Sequence, residues 1–357
     1  MFVHLLYGKG VFMRKFEGYQ KGVNLGGWLS QADEKTKEHY DTFIGKEDIE
    51  RIAGWGCDHV RLPIDYIVIE GEDGSMLEDG YGYVDNCIEW CREFGLNVLI
   101  DMHNTYGYTF DPLEVGGDKE IFFHNEALQE RFYIMWDRIS KRYAGQKDVA
   151  FELLNEVISP DIKDEWNAIA DKAIDTIRKN APDAYVVVGG VWYNNVRSVP
   201  FLNPPKDDHV VYNFHCYEPM IFTHQRAWWM ENMPKDITVE YPATTAEYSE
   251  KSKELDPNWA GAILKMKAKE TNAEYFAELF EPAVEAATKN NAPLYCGEYG
   301  VIDQAPANPS TINWIKDIHA AFEKYGIGRS LWVYKEKDFG IIGPHYDSVR
   351  DEMIKNL

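Results

Sequence analysis

NVLIDMHN, residues 97–104, gathers branched apolar side chains with no wet face and then stops on His103 and Asn104. A strand with one face in water alternates apolar and polar residues. A near-continuous apolar run instead predicts a parallel strand covered on both sides. AYVVVGG, at 184–190, reads the same way. Working outward from these two, the predicted strands are Gly22–Trp28, His59–Ile64, Asn97–His103, Val149–Glu156, Ala184–Gly190, His209–Tyr217, Pro293–Tyr299 and Arg329–Tyr334. Amphipathic stretches between them predict helices over Lys46–Gly54, Tyr83–Phe94, Asn125–Tyr143, Lys163–Asn180, Asn272–Asn290, Ser310–Tyr325 and Ser348–Asn356, with a short, weakly helical piece at Asn194–Leu202. Acids near the start of Lys46–Gly54 and the glycines after Phe94 and Tyr325 are the matching end signals. Strand-then-helix units repeated around the chain predict an α/β fold, a (β/α)8 TIM barrel, as one catalytic domain over residues 1–357. The alternative, a doubly wound open sheet, usually carries a glycine-rich phosphate loop after its first strand. Here that strand runs into Gly26-Gly27-Trp28-Leu29, which lacks the spacing.

Composition narrows the partners. There are 37 Lys and Arg against 59 Asp and Glu, a formal charge of −22. Such a chain repels nucleic acid and anionic membrane, so neither is expected as a partner. The 11 Trp and 22 Tyr suit a sugar ligand, whose apolar ring face stacks on aromatic rings, although many of them belong to the core. The five cysteines are odd in number and scattered, which predicts free thiols rather than a disulfide framework. Residues 1–16 read as a loose tail with no basic segment before their short apolar run, so a cytoplasmic location is expected.

One connection breaks the rhythm. About fifty residues, 220–271, separate the sixth strand from its helix. Connections that long are uncommon unless functional. On a barrel this insertion would rise on the face that carries active sites. With Trp228, Trp229 and Trp259 it is expected to form a lid or cleft wall; the alternative is an insertion packed on itself.

Polar residues gather at the carboxyl ends of the predicted strands: Arg61, His103-Asn104, Asn155-Glu156, His215 with Tyr217, Glu298 and Trp332. A barrel brings all these ends to one rim. A lone histidine there is more often structural than catalytic. A glutamate ending an apolar strand is harder to dismiss, because Glu is rarely buried without a partner. Glu156 and Glu298 would face each other across the mouth. Facing carboxylates are the machinery of glycoside hydrolysis: one protonates the leaving oxygen, the other attacks the anomeric carbon or activates water.

At this point a resemblance is visible. The stretches GVNLGGWLSQ (22–31), HVRLP (59–63), DMHN (101–104), LLNE (153–156), HCYEP (215–219), CGEYG (296–300) and LWVYK (331–335) resemble glycoside hydrolase family 5, the cellulase family of clan A, in family order along nearly the whole chain. The resemblance implies a retaining β-glycoside hydrolase, with Glu156 as acid/base and Glu298 as nucleophile. It implies that Arg61 and Tyr217 hold the nucleophile ionised, that Asn155 binds the sugar 2-hydroxyl, and that His215 lies near the acid/base. His103 would line the sugar subsite and Trp332 would lie under the sugar at the centre. Asn104 and Trp192 are further candidates for substrate contact, Trp192 on the aglycone side. Trp28, Tyr106, Asp41, Asp65 and Lys335 are weaker ones. No cofactor and no metal is implied.

The opening GVNLGGWLSQ resembles the exo-1,3-glucanase and β-glucosidase-like branch of the family. With a cytoplasmic location, the expected substrates are therefore short β-linked gluco-oligosaccharides or β-glucosides. An endo-β-1,4-glucanase or β-mannanase of the same family is the alternative. A noncatalytic sugar-binding barrel would keep the aromatics but would not need both Glu156 and Glu298. A metal-dependent hydrolase would need clustered ligands, and no histidine pair in the chain has ligand spacing.

Overall fold

A computed structural model describes residues 13–111 and 120–357. Its strands are β1 (Lys21–Asn24), β2 (His59–Ile64), β3 (Asn97–Met102), β4 (Val149–Glu152), β5 (Val186–Gly189), β6 (Val210–Cys216), β7 (Leu294–Tyr299) and β8 (Gly328–Leu331). They close in sequence order, and β8 pairs back onto β1 in parallel. The fold is a (β/α)8 barrel.

The outer helices start where side chains satisfy otherwise unpaired backbone N–H groups. Asn125 accepts from Ala127 N at 3.0 Å ahead of the helix Glu126–Arg142, and Asn272 accepts from Glu274 N at 3.0 Å ahead of Ala273–Lys289. Gly326, at φ 69°, closes the helix Ile312–Tyr325 in the left-handed conformation that glycine adopts without strain. After β5 the crossover shrinks to a 3-10 turn, Val196–Phe201.

Three boundaries differ from expectation for identifiable reasons. β1 stops at Asn24 and β4 at Glu152, short of the predicted Trp28 and Glu156. Beyond them single bonds persist, such as Asn155 N to Met102 O at 2.9 Å, but the ladder ends as the chain turns outward at the barrel mouth. The helix predicted from Tyr83 begins at Glu78. Gly80 reads as a breaker, yet it is required there: a Cβ on it would lie 1.7 Å from the Val68 carbonyl oxygen.

The lower end of the barrel is filled by Phe16, Tyr19, Leu99, Ala150, Val187, Val211 and Tyr295. Phe16 is fully buried and stacks on Tyr19 at 4.1 Å. Within the expected tail, Phe16 is therefore packed as a cap on the barrel interior and Met13 lies against the core, while Lys15 is exposed; residues 1–12 lie outside the described ones. The five cysteines are free and buried. Among the described residues no helix is long and apolar enough to cross a membrane.

The insertion after β6 holds the helices Thr245–Ser252 and Pro257–Leu264, which pack on each other. Tyr241 ties it to the outer helix Ile312–Tyr325 through Asp317 at 2.8 Å. Its edge nonetheless faces the barrel mouth: Trp228, Trp229 and Trp259 line the same cleft as Glu156 and Glu298. It is packed on itself and walls the cleft at once.

Candidate active site

Arg61 is the centre of the site. It is fully buried, and its guanidinium donates to Glu152 through Nε at 2.7 Å and Nη2 at 2.9 Å. Nη1 donates to Glu298 at 2.8 Å and to Asn24 at 2.9 Å; Nη2 donates to Asn155 at 2.8 Å and lies 3.0 Å from Asp101. One cation on β2 thus organises side chains from β1, β3, β4 and β7. A planar guanidinium suits this, since its donors leave in fixed directions.

Glu298 receives a second donor, Tyr217 OH, at 2.9 Å on Oε2. A register shift between β6 and β7 sets His215 directly opposite it. His215 Nδ1 lies 2.8 Å from Glu156 Oε1 and 3.6 Å from Glu298 Oε2. A carboxylate oxygen of Glu156, one of Glu298 and a His215 nitrogen all lie within 4.8 Å of one another.

The two glutamates sit in unequal electrostatic settings. Burial pushes Glu156 well above the usual carboxylate range, and the negative charge of Glu298 pushes it further. Burial raises Glu298 too, but the Arg61 charge and the Tyr217 hydroxyl pull it back. The pair therefore holds its proton on Glu156 and its charge on Glu298. Burial lowers His103 to about 4 and His215 well below its ordinary value, so both imidazoles are neutral. Beneath them, burial lifts Asp101 and Glu152 to about 7 against the pull of Arg61.

Other expected residues divide into two groups. His103 and Trp332 line the cleft, their rings parallel at 5.7 Å, and His103 is held by Asp101 at 2.6 Å. Gly26 explains part of the GVNLGG stretch: a Cβ there would lie 2.6 Å from the Trp332 ring. Asn155 keeps a buried Nδ2 without a hydrogen-bond partner among the described residues. Trp192 also lines the cleft, in a left-handed run with Tyr193 and Asn194 at φ 58°, 57° and 51°.

Asn104 departs from its expected role. It turns inward, donating to Asp65 at 2.9 Å and accepting from Tyr66 N at 3.0 Å, and so ties the loops after β2 and β3 together. The weaker candidates are likewise committed elsewhere. Trp28 is buried and donates to Tyr40 O at 2.8 Å, Tyr106 lies against Arg131, Asp41 pairs with Lys37, Asp65 accepts from Ser30, and Lys335 donates to Phe43 O. The sequence reading missed Asn24, Asp101 and Glu152. Their signal was present: polar side chains inside apolar strands need partners.

Among the described residues, Glu156, His215 and Glu298 form the one group close enough to hold a cation. Arg61 already supplies positive charge to Glu298, and Glu156 retains its proton. The set fits proton transfer better than metal coordination.

Residues 17–338 match the model of the cellulase family, glycosyl hydrolase family 5. The chain belongs to that family. Cellodextrinase A of Ruminococcus flavefaciens is 43% identical over 325 residues, 91% of this chain and 88% of that protein. Endoglucanase C of Acetivibrio thermocellus is 38% identical over 343 residues, 95% of this chain and 98% of its own length. A probable glucan 1,3-β-glucosidase of Aspergillus fumigatus is 30% identical but matches 48% of this chain. The likeness to the 1,3-glucanase branch is thus partial, and the family members of cellodextrinase and endoglucanase type match nearly end to end. The crystal structure of an endoglucanase from Thermotoga maritima, at 23% identity, shares the fold with a TM-score of 0.72 over 95% of this chain and 97% of its own. The protein is a family 5 glycoside hydrolase.

Proposed function

We propose that this enzyme hydrolyses β-1,4-linked gluco-oligosaccharides by double displacement, with Glu298 as nucleophile and Glu156 as acid/base. The observation that carries the mechanism is the separation of the two carboxyl groups. One oxygen of each carboxyl lies within 4.8 Å of the other, which supports a retaining pair, roughly 5–5.5 Å apart, over an inverting pair, roughly 6.5–9.5 Å apart. In the first step a Glu298 oxygen bonds to the anomeric carbon while the glycosidic C–O bond breaks, and Glu156 gives its proton to the departing oxygen. In the second, Glu156 takes a proton from water, whose oxygen bonds to the anomeric carbon and releases Glu298. Arg61 and Tyr217 keep Glu298 ionised. Neutral His215 orients Glu156, Asn155 Nδ2 meets the sugar 2-hydroxyl, and Trp332 lies under the ring.

The nearly full-length likeness to a cellodextrinase and endoglucanases supports β-1,4-glucan over small β-glucosides. A cleft of about 660 Å³, walled by Trp192, Trp228, Trp229, Trp259 and Trp332, suits several sugars rather than one. The test is product analysis on cellotetraose beside its β-1,3 counterpart, with the anomer followed by NMR. Faster cleavage of the β-1,4 substrate and a first-formed β-anomer are expected. A first-formed α-anomer, or preference for β-1,3 links, would refute the reading.

The shared proton makes a second prediction. Removing the Glu298 charge with Glu298→Gln removes the like-charge repulsion that raises Glu156, so the Glu156 pKa falls. NMR titration of that carboxyl should show the drop. An unchanged pKa would mean that the two groups are not coupled.

A further inference from the structure

The insertion brings a third buried histidine to the cleft, beside His103 and His215. His224 follows the short turn Met220–Thr223, lines the cleft and is 8% exposed. Its ring packs on Tyr217 at 4.8 Å and Phe339 at 5.2 Å, with Trp229 at 6.2 Å. Tyr217 in turn donates to Glu298, so His224 stands one ring away from the nucleophile.

Hydrogen-bond bookkeeping fixes its tautomer. The Thr223 hydroxyl donates to the Tyr217 carbonyl, which can only accept. The hydroxyl has one proton, so toward His224 Nδ1, 3.1 Å away, its oxygen must accept. Nδ1 therefore carries the proton. Burial holds the ring near 3, so it is neutral and Nε2 is a bare lone pair. No described residue donates to Nε2, and it is not among the buried atoms cut off from solvent.

We infer that His224 Nε2 accepts a hydrogen bond from a hydroxyl of the glucan seated beside Glu298. A lone pair rather than an N–H selects a hydroxyl presenting its proton. The insertion is thereby more than a wall: through His224 it determines which sugar hydroxyls fit next to the nucleophile. The inference rests on the glucan reading of the cleft.

His224→Phe keeps a ring of similar breadth and removes the lone pair. Its kcat/KM on cellotetraose should fall about three- to ten-fold, the worth of one neutral hydrogen bond. A panel of monodeoxy cellotetraoses then gives the decisive comparison. At one position the missing hydroxyl should erase the difference between variant and wild type, because both have lost the same bond. A variant equal to wild type on cellotetraose, or a loss that persists undiminished across every deoxy substrate, overturns the inference. Should the Phe variant melt well below wild type, His224→Leu carries the same comparison. Wild-type enzyme inert on cellotetraose would instead overturn the glucan reading itself.

Discussion

Glu298→Gln is expected to lower kcat on cellotetraose by at least about four orders of magnitude while leaving the fold intact. The amide keeps the shape of the carboxylate: its oxygen can still accept from Arg61, and its NH2 can donate to the Tyr217 hydroxyl, so the cage around it survives. What is lost is the charged oxygen that bonds to the anomeric carbon. Glu156→Ala should behave differently. General acid assistance is worth roughly 10²–10⁴-fold, and most where the leaving group is poor. The loss should therefore be large on cellotetraose and slight in the first step on an aryl cellobioside with an acidic phenol. Added azide should then restore turnover of the aryl substrate and yield a β-glycosyl azide, since the small anion attacks the Glu298 adduct without needing a base. Near-normal cellotetraose hydrolysis by either variant would sink the assignment.

Arg61→Met is expected to cost about 3–5 kcal/mol of stability, because it leaves buried acids without their cation. Arg61 is fully buried, and Asp101, Glu152 and Glu298 all lie within 3.0 Å of its nitrogens. The loss has a definite pH sign. Asp101 and Glu152 already titrate near 7, above their unfolded range, so the stability they contribute is present at low pH and fades as pH rises through about 7. Without Arg61 both values rise further, and more of the folded state's charge becomes costly above 7. The variant should be less impaired at pH 5 than at pH 8 in denaturant unfolding. A pH-independent deficit would mean that packing, not charge, is what Arg61 supplies. Activity should vanish with it, since Glu298 loses the donor that keeps it ionised.

Much of this was legible in the linear chain. Runs such as VVVGG and NVLID announced strands buried on both faces, and their rhythm announced the barrel. Strand-end residues that share one rim could be named before any contact was known: Arg61, His103, Asn155, Glu156, His215, Tyr217, Glu298 and Trp332. Side chains near the mouth whose direction depends on loop geometry were not legible. Asn104 follows His103 directly, yet one faces the cleft and the other turns to Asp65. Trp28 looked like a rim residue and is core, because β1 ends at Asn24 and the chain folds back over Tyr40.

The sequence by itself determined the fold and the family, and it singled out Glu156 and Glu298 as the candidate pair. Each depends on residue type and local period, which the chain carries without reference to distant partners. The resemblance implied that Glu156 keeps the proton; only the tertiary structure supplies the physical reason. That depends on Arg61 and Tyr217 reaching Glu298 from β2 and from the end of β6, while no Arg or Lys among the described residues pairs with Glu156. It also brought His224 to the nucleophile's side. Protonation and hydroxyl selection are set by distances between residues far apart in the chain, and spacing along a sequence does not encode those distances.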